Sequence, residues 1–523
     1  MDKTEIQITK ERVVKDLLDY GASKGITDLQ EIIQELLSHA TTNILKSENV
    51  MDCKPGYQAW TILQILNKSP LRYHDTSVSS NSPNYTFKRK AYTELISSLD
   101  ASNIVFLLGP RKCGKTVCLQ QIARDVPNTA YIDFKVTEKE TRTILSEIEY
   151  DLLNQNSHTY LLDEITYATC PEQFICSIAD LFTKYKPSVS IVFTGSQSLA
   201  LEKWGYTAFS GRAKYIHMSF LQYSEWLDYV GLKDNTADNY KRYLREAQDF
   251  TGIVSIHDYL QSCIDETINS NSKTSNYLYG NDVDNVTVES AKILCYLTLY
   301  TLNNHVNVQT FANRNSLSDT VKFYFQNTPI DARLKSYFIS SLEAYHRMNS
   351  RELIQTFLFL KACDLITITP VSTSIDEYLD IELELKHLMF GQESKLRLKE
   401  DIFKSFNFCI KHPVFYTAVL RDILGTQHFD LKQGMLGGLV ECHVRGLVTD
   451  NHTVELHTIN DNEIDIVNTF KHNAIEITVS DGHKNVFNLL PKGYKCTMLT
   501  GSISSFDNSI DKIPYYIFIY NLY

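Results

Sequence analysis

The sequence contains no apolar run long enough to cross a bilayer, and its first residues, MDKTEIQITKERVV, lack the apolar core of a secretion signal. Its eleven cysteines are scattered, without a C-x-x-C pair or a cysteine and histidine cluster at metal-binding spacing. These absences argue against a membrane protein, a disulfide-stabilised secreted protein and a zinc protein. They favour a soluble protein of the reducing cytoplasm.

The chain also lacks an excess of basic residues, since 51 Lys and Arg face 62 Asp and Glu, for a net charge of −11. This balance argues against a generally basic, DNA-coating surface, although a local basic patch can still contact phosphates. The hydrophobic content of 43% and the charged content of 22% are typical of a globular protein. At 523 residues the chain is too long for one core and predicts roughly two to four domains.

One stretch carries the strongest functional signal, an apolar run at 104–108 followed by GPRKCGKT and an amphipathic pattern. This is the G-x-x-x-x-G-K-S/T pattern in its required strand, loop and helix context. Glycines let backbone N–H groups curl round phosphates, and the N-terminus of the following helix favours the same anion. The stretch therefore predicts a nucleoside triphosphate site, with ATP and Mg²⁺ as the expected ligands. The predicted binding residues are Gly109, Pro110, Arg111, Lys112, Cys113, Gly114, Lys115, Thr116 and Val117.

Short apolar runs alternate with helical patterns at 104–108, 130–134, 159–163, 190–194 and 214–218, which predicts a parallel α/β sheet. The third run ends in Asp163 and Glu164. In the Walker B arrangement, the first acid and the Thr116 hydroxyl hold Mg²⁺, and the second acid orients the attacking water. We therefore expect Lys115, Asp163 and Glu164 to be catalytic.

Two further candidates follow the fourth strand. Ser196 or Thr194 can sense the γ-phosphate, although both also suit a plain strand-to-loop turn. Arg212, after a flexible glycine, is a candidate arginine finger for its own site or for a neighbour's. Taken alone, an arginine in a loop is usually a solvated surface residue.

The pieces GPRKCGKT, LLDEI, FTGSQSL, SGR and MSFLQYSEWL, with Arg89 ahead of them, occur in a characteristic order. In these motifs the chain resembles prokaryotic AAA-type ATPases that carry a C-terminal domain similar to restriction endonucleases. The resemblance implies a five-stranded core with an extra strand between the two Walker strands. It also implies a Gly-Gly-x-Pro motif, where this chain has Thr251-Gly252-Ile253-Val254 instead.

The predicted domains are a helical N-terminal module (1–67), a linker (68–87), the ATPase core (88–229), a helical lid with a winged-helix-like region (230–406) and the endonuclease-like domain (407–523). The N-terminal module is a candidate site for a protein partner, or a bundle packed on the ATPase. A winged helix can enter the DNA major groove, but it also serves for packing. The basic residues of 395–399 suit phosphates or a protected strand edge.

Three acids of the C-terminal segment, Glu441, Asp465 and Glu476, have spacing that suggests a second Mg²⁺ site. In endonuclease-like folds such acids activate water against phosphodiesters. The pattern of that fold, D…E-x-K, has Thr478 in the lysine position here, and Lys471 or Lys484 is a possible substitute. A degenerate domain that only binds DNA or protein is therefore an open alternative. The runs 496–500 and 515–520 are predicted to be closing strands of the same sheet.

Two functions are compatible with these motifs. In the first, the nucleotide state of the ATPase controls a C-terminal nuclease acting on nucleic acid, with a role in defence or mobile-element biology by analogy. In the second, the protein is an ATP-dependent switch for a protein or DNA partner and has no nuclease activity. An oligomer is compatible with both, because AAA-type cores often take an arginine from a neighbouring subunit.

Overall fold

The computed structural model describes residues 86–101, 103–137, 140–269, 286–304, 340, 348, 350–372, 406–424, 433–449, 453–457, 463–478, 486–502, 505–507 and 510–522. All of them belong to one compact unit, Pro83–Tyr523. The predicted N-terminal module, most of the predicted linker, the basic run 395–399 and Lys484 lie outside the described residues. No described helix is both long enough and apolar enough to cross a membrane.

The first sheet has five parallel strands in the order β2-β3-β4-β1-β5. Its strands are β1 (Ile104–Leu108), β2 (Thr129–Asp133), β3 (His158–Asp163), β4 (Val189–Thr194) and β5 (Lys214–His217). Every residue of β1 is buried, as expected for a parallel strand with helices on both faces of its sheet. The predicted five-stranded parallel core is confirmed, and β4 lies between the P-loop strand β1 and the acid-bearing strand β3.

The helices around this sheet follow the strands in the chain. They are α1 (Lys90–Ala101), α2 (Lys115–Asp125), α3 (Thr141–Leu153), α4 (Pro171–Lys184), α5 (Ser198–Phe209) and α6 (Tyr223–Val230). Because the connections are parallel crossovers, the carboxyl ends of the strands all lie at one edge of the sheet. The P-loop and the Asp163-Glu164 pair are therefore delivered to the same edge.

The next described helices connect the first sheet to a second one. They are α7 (Ala237–Glu246), α8 (Ile256–Asn269), α9 (Val288–Asn304) and α10 (Ser350–Ala362), followed after the next strands by α11 (Pro413–Leu424) and α12 (Gln433–Val448). Buried side chains of these helices belong to the same apolar core as the first sheet. The ATPase region and the C-terminal region therefore share one core in this part of the chain.

The second sheet is mixed and has eight strands in the order β12-β13-β11-β10-β9-β8-β6-β7. Its strands are β6 (Ile366–Ser372), β7 (Phe406–Ile410), β8 (Thr453–His457), β9 (Glu463–Asn468), β10 (Asn473–Ile477), β11 (Lys495–Thr500), β12 (Ser505–Asp507) and β13 (Ile510–Pro514), and α13 (Tyr515–Leu522) follows β13. One face packs on the main core, while side chains such as Val454 and Phe487 form a smaller apolar cluster.

Two sequence-based expectations differ from this arrangement. The helix and strand predicted from Arg351 are present as α10 and β6, but β6 pairs with β7 and β8 and is buried at every position. The winged-helix prediction is therefore not confirmed, and the boundary drawn between 406 and 407 passes through the second sheet. The strand predicted at 515–520 is wrong, because this run is helical in α13 and buries Tyr515 and Ile519 one turn apart.

Candidate nucleotide-binding site

The loop between β1 and α2 has a backbone shape that two glycines make possible. Gly109 has φ +146°, and a Cβ at this position would lie 2.0 Å from the backbone oxygen of Met218. Gly114, the residue before α2, has φ +105°. Both conformations disfavour any residue with a side chain. The loop can therefore curl at the N-terminus of α2, where backbone N–H groups are available to an anion.

The side chain of Lys115 lies inside this loop and is only 7% exposed. Its Nζ donates hydrogen bonds to the carbonyl oxygens of Gly109 (2.8 Å) and Pro110 (2.9 Å). The Ser198 hydroxyl, at the start of α5, accepts a hydrogen bond from the backbone N–H of Gly109 at 2.8 Å. Val117 continues the first turn of α2. The loop thus holds the ammonium group of Lys115 against two of its own backbone carbonyl groups.

Asp163, the last residue of β3, is the buried acid of the site and is 1% exposed. The Tyr131 hydroxyl donates to its Oδ2 at 2.8 Å, and the Thr116 hydroxyl is also hydrogen-bonded to the carboxyl group. Burial, and then the charge of Glu164, raises the pKa of Asp163 to about 6. Asp133 is its direct partner on β2, and burial raises the pKa of that carboxyl group too. Such a set of oxygens suits a hard cation.

Glu164 follows Asp163 in a left-handed conformation, with φ 51°. Its Oε2 accepts a hydrogen bond from the backbone N–H of Ser196 at 3.2 Å, and its Oε1 lies 3.3 Å from Nζ of Lys135. Lys135 also pairs with Glu266 of α8, which in turn pairs with Arg111 of the P-loop. Glu164 is therefore held by contacts from the β2 loop and the β4 loop, in a network that reaches α8.

The two candidate sensors after β4 differ in their surroundings. The Thr194 hydroxyl donates to the carbonyl oxygen of Leu107 at 2.8 Å, which ties β4 to β1. Ser196 is 9% exposed, and its hydroxyl oxygen is buried with no hydrogen-bond partner among the described residues. A buried polar atom without a partner is costly unless a ligand satisfies it. Ser196 is therefore the better candidate for a phosphate contact.

The structure does not bring Arg212 to this site. Arg212 is exposed and precedes β5, with its Nε donating to the carbonyl oxygen of Phe209 at 3.1 Å. Because β5 runs parallel to β1 and Lys214 pairs with Val105, Arg212 lies at the amino end of the strands. The P-loop lies at the opposite edge of the sheet. This position does not fit a role for Arg212 in its own site, and it fits both a role in a neighbouring molecule and a solvated surface residue.

The loop that replaces the expected Gly-Gly-x-Pro motif still contacts the P-loop. Nζ of Lys112 donates to the carbonyl oxygen of Gly252 at 2.9 Å. A little further along, the Tyr259 hydroxyl donates to the carbonyl oxygen of Arg111 at 3.1 Å. The segment at 251–259 therefore lies over one side of the predicted nucleotide site.

The sequence of this region decides its classification. Residues 101–227 match the family of AAA domains. Residues 101–227 form an AAA domain. The motifs on which the family resemblance depended, from GPRKCGKT to MSFLQYSEWL, lie almost entirely inside this AAA domain.

Comparison with solved structures gives only distant similarities. The Walker-type ATPase of Pyrococcus abyssi has 12% identity over 64% of this chain and 96% of that chain, with a TM-score of 0.31. The ORC2 protein of Aeropyrum pernix, solved in ADPNP-ADP complexes, has 10% identity over 64% of this chain and 92% of that chain, with a TM-score of 0.30. TM-scores this low carry no argument about fold or function. No curated protein is significantly similar to the chain.

Sequence reasoning missed several residues around the AAA domain site. Tyr131 lies in the middle of β2, Asp133 ends that strand, Lys135 follows it, and Glu266 comes from α8. An acid at the end of a predicted strand was a visible signal for Asp133. That signal points to the nucleotide site only if β2 is known to lie next to β3. The order of the strands is a property of the assembled sheet.

Two of the acids predicted to form a second metal site contact an arginine. Glu441 on α12 and Asp465 on β9 both bind Arg445, whose Nε donates to Glu441 Oε1 at 2.8 Å and whose Nη1 donates to the carbonyl oxygen of Asp465 at 2.9 Å. The backbone N–H of Ile477 donates to Asp465 Oδ2 at 2.7 Å. The Oε2 atom of Glu476 is buried and has no hydrogen-bond partner in the described part of the chain. Among the described residues, no group of three or more His, Cys, Asp or Glu side chains is arranged to hold a metal ion.

Burial is the main cause of the shifted pKa values of Glu476 and Asp465. It raises the pKa of Glu476 to about 8, with a further contribution from Glu463, and it raises the pKa of Asp465 well above its ordinary value. Neighbouring carboxylates add to the effect on Asp465, and Arg445 opposes it. The residues predicted for a second Mg²⁺ therefore surround a guanidinium group, which the sequence analysis did not identify.

Proposed function

We propose that this protein binds ATP with Mg²⁺ and hydrolyses it at the carboxyl edge of the first sheet. The meeting of the P-loop with Asp163 at that edge carries the proposal. Lys115 would hold the β- and γ-phosphates, and Thr116 together with Asp163 would hold Mg²⁺. When bound, Mg²⁺ neutralises charge on the phosphate oxygens.

Glu164 would orient the attacking water and accept its proton. Its left-handed backbone and its contact with the Ser196 N–H support this role, because they fix the carboxylate beside the P-loop edge. The unpartnered hydroxyl of Ser196 supports a contact with the γ-phosphate. The pairing of Glu164 with Lys135 means that the carboxylate must exchange partners when it acts as a base.

Arg212 would act only in the site of a neighbouring copy. Its exposure and its place at the opposite edge of the sheet support this part of the proposal. An arginine supplied in trans stabilises charge on the transferring phosphoryl group. The protein would therefore assemble into an oligomer in its active form.

The ATPase proposal predicts a sharp difference between two substitutions. Glu164→Gln should lower the rate of ATP hydrolysis by about 100-fold or more while leaving ATP binding in place, because it removes only the base. Lys115→Ala should remove binding as well as hydrolysis, since the ammonium group contacts the phosphates. Phosphate release and fluorescent-nucleotide binding, measured on the same preparations, check both outcomes.

Glu94→Gln on α1 is a matched control, because Glu94 is half exposed and lies outside the site. It should hydrolyse ATP at the rate of the unaltered protein. A wild-type protein without ATPase activity, or a Glu164→Gln protein of wild-type activity, would contradict the proposal.

We further propose that the nucleotide state is transmitted to the second sheet. A continuous chain of contacts supports this. Arg89 donates to the carbonyl oxygen of Cys113 in the P-loop at 2.9 Å and to Glu225 Oε2 at 2.7 Å. Glu225 and Gln222 form the capping box of α6, and Gln222 Oε1 accepts from His443 Nε2 of α12 at 2.9 Å. Contiguity is not itself coupling, which requires a measured response.

Two activities are candidates for the response of the second sheet to nucleotide. Control of a nuclease acting on nucleic acid requires a metal at Glu441, Asp465 and Glu476, and it stays a prediction. A switch that binds a protein or DNA partner without cleavage requires no such metal, and the contacts of Arg445 favour it. In both, the N-terminal segment and a local basic patch are the proposed partner sites.

A further inference from the structure

Four buried acidic side chains lie around one buried guanidinium at the second sheet, and three of them contact it directly. We call Glu441, Glu455, Asp465 and Glu476 the carboxylate cluster. They come from α12, β8, β9 and β10 in that order, and each is less than a tenth exposed. Arg445, one turn after Glu441 on α12, is 1% exposed. No residue of this group belongs to the nucleotide site.

Every branch of the guanidinium contacts the carboxylate cluster or its backbone. Nε binds Glu441 Oε1 at 2.8 Å, and Nη1 binds the carbonyl oxygen of Asp465 at 2.9 Å. Nη2 lies 2.9 Å from Glu455 Oε2 and 3.4 Å from Asp465 Oδ1. Asn407 on β7 also donates to Glu455 Oε2, at 2.5 Å. The Arg445 side chain therefore joins α12 to two strands, β8 and β9.

The planar fork of arginine explains why this residue type suits the position. It offers several N–H donors in fixed directions, so it can serve acids from different strands at the same time. A buried carboxylate is costly unless it is paired and hydrogen-bonded. Arg445 supplies positive charge and directed donors together, where three strands and a helix meet.

The same contacts leave poor conditions for a divalent metal. Mg²⁺ requires near-octahedral oxygen coordination at short distance, yet Glu441 Oε1 and Asp465 Oδ1 face the guanidinium and Asp465 Oδ2 faces the Ile477 N–H. A dication placed among these oxygens would meet the positive charge of Arg445 within a few ångströms. The unpartnered Glu476 Oε2 offers a single ligand atom.

We infer that Arg445 is the permanent cation of the carboxylate cluster. Its guanidinium group holds this part of the second sheet together, and the cluster binds no catalytic metal. The cluster is a structural junction between α12 and the sheet. The cluster therefore supplies no metal-activated water for cleavage of phosphodiesters. This inference does not depend on the proposed ATPase activity, and ATP hydrolysis is unaffected by its failure.

Metal binding by nucleotide-free protein tests the inference directly. Asp163→Asn protein, in which the nucleotide-site acid is removed, is titrated with Mn²⁺ and followed by electron paramagnetic resonance, by thermal unfolding and by plasmid cleavage. The expected result is no bound Mn²⁺, no change in Tm with Mn²⁺ or EDTA, and no cleavage. One bound Mn²⁺ per chain that disappears in Asp163→Asn/Asp465→Asn protein would overturn the inference, as would cleavage that is lost in Asp465→Asn.

Substitution of Arg445 is the second test of this inference. Arg445→Gln should lower Tm, because it leaves buried acids without a cation, and Mn²⁺ should raise the Tm of this variant but not that of the parent. Arg445→Gln/Glu455→Gln should recover part of the lost Tm, since one acid is removed with the cation. Arg445→Lys keeps the charge without the fork and should lie between the parent and Arg445→Gln. An Arg445→Gln protein as stable as the parent would contradict the structural role, and the metal titration decides the matter if this variant does not fold.

Discussion

His443 is a buried, neutral imidazole at the junction between the AAA domain and α12. Its Nε2 donates to Gln222 Oε1 at 2.9 Å, and its Nδ1 accepts from the Tyr240 hydroxyl at 3.0 Å. Both ring nitrogens are therefore used by the neutral form. Burial, and then the nearby His412, lowers the pKa of His443 to about 3.

This pKa has a direct consequence for stability against acid. Below its ordinary pKa near 6.5, the unfolded chain takes up a proton at this histidine and the folded chain does not, so the free energy of unfolding falls as the pH falls. The contribution is about 1.4 kcal/mol per pH unit for one such group well below pH 6.5. It is fully present above that pH and is lost progressively between pH 6.5 and about 3.

His443→Gln should therefore reduce the dependence of unfolding free energy on pH between 5 and 7. Denaturant unfolding of both proteins across this range measures the difference. His412, whose pKa is also lowered by burial, keeps part of the dependence in the variant. Equal slopes for the two proteins would contradict the assignment of a neutral, buried His443.

The residues of the nucleotide site differ in whether the neighbouring sequence alone could identify them. Gly109, Lys115 and Asp163 could be predicted, because a contiguous motif or a strand end carries each of them. Lys135 and Glu266 could not be predicted, since their contact with each other depends on the packing of α8 over the sheet. Arg445 and His443 were missed for the same reason.

Helix α12 is the element that joins the two halves of the described fold. It packs against the backbone at Lys411. A Cβ on Gly446 would lie 1.9 Å from the backbone oxygen of Lys411. The same helix presents His443 to the AAA domain and Arg445 to the carboxylate cluster. Its position is therefore fixed by close packing as well as by polar contacts.

Gly446→Ala should destabilise the protein by about 1–3 kcal/mol through this overlap. Alanine is the better helix former by about 1 kcal/mol, so an isolated helix would change in the opposite direction. Thermal unfolding measures the sign. Ser97→Ala, on an exposed face of α1, is a control that should be neutral or slightly stabilising, and a rise in Tm for Gly446→Ala would contradict the close approach.

At the scale of elements, the first sheet could be predicted within one or two residues because its apolar runs end in glycine, in acids or in polar turns. The second sheet could not be predicted as well. The partners of β6 lie at 406–410 and 453–457, and a local pattern does not specify such distant pairing. The run at 515–520 is apolar throughout, so it has neither a strand period nor a helix period to decide between the two structures.

At the scale of the whole molecule, we propose that nucleotide bound at the P-loop alters the C-terminal part of the chain. The contacts from Arg89 through Glu225 and Gln222 to His443 link the P-loop to α12. Buried residues of both parts also belong to one apolar core. A change at the P-loop therefore has a packed route to the second sheet.

Hydrogen exchange of the backbone amides in α12, measured with ATP and with ADP, tests this claim most directly. Glu164→Gln protein is used because it should bind ATP without consuming it, and Lys115→Ala protein is the control that should not respond. We expect the amides of α6 and α12 to exchange at different rates with ATP and with ADP. Exchange that changes in the P-loop but stays identical in α12 would contradict it.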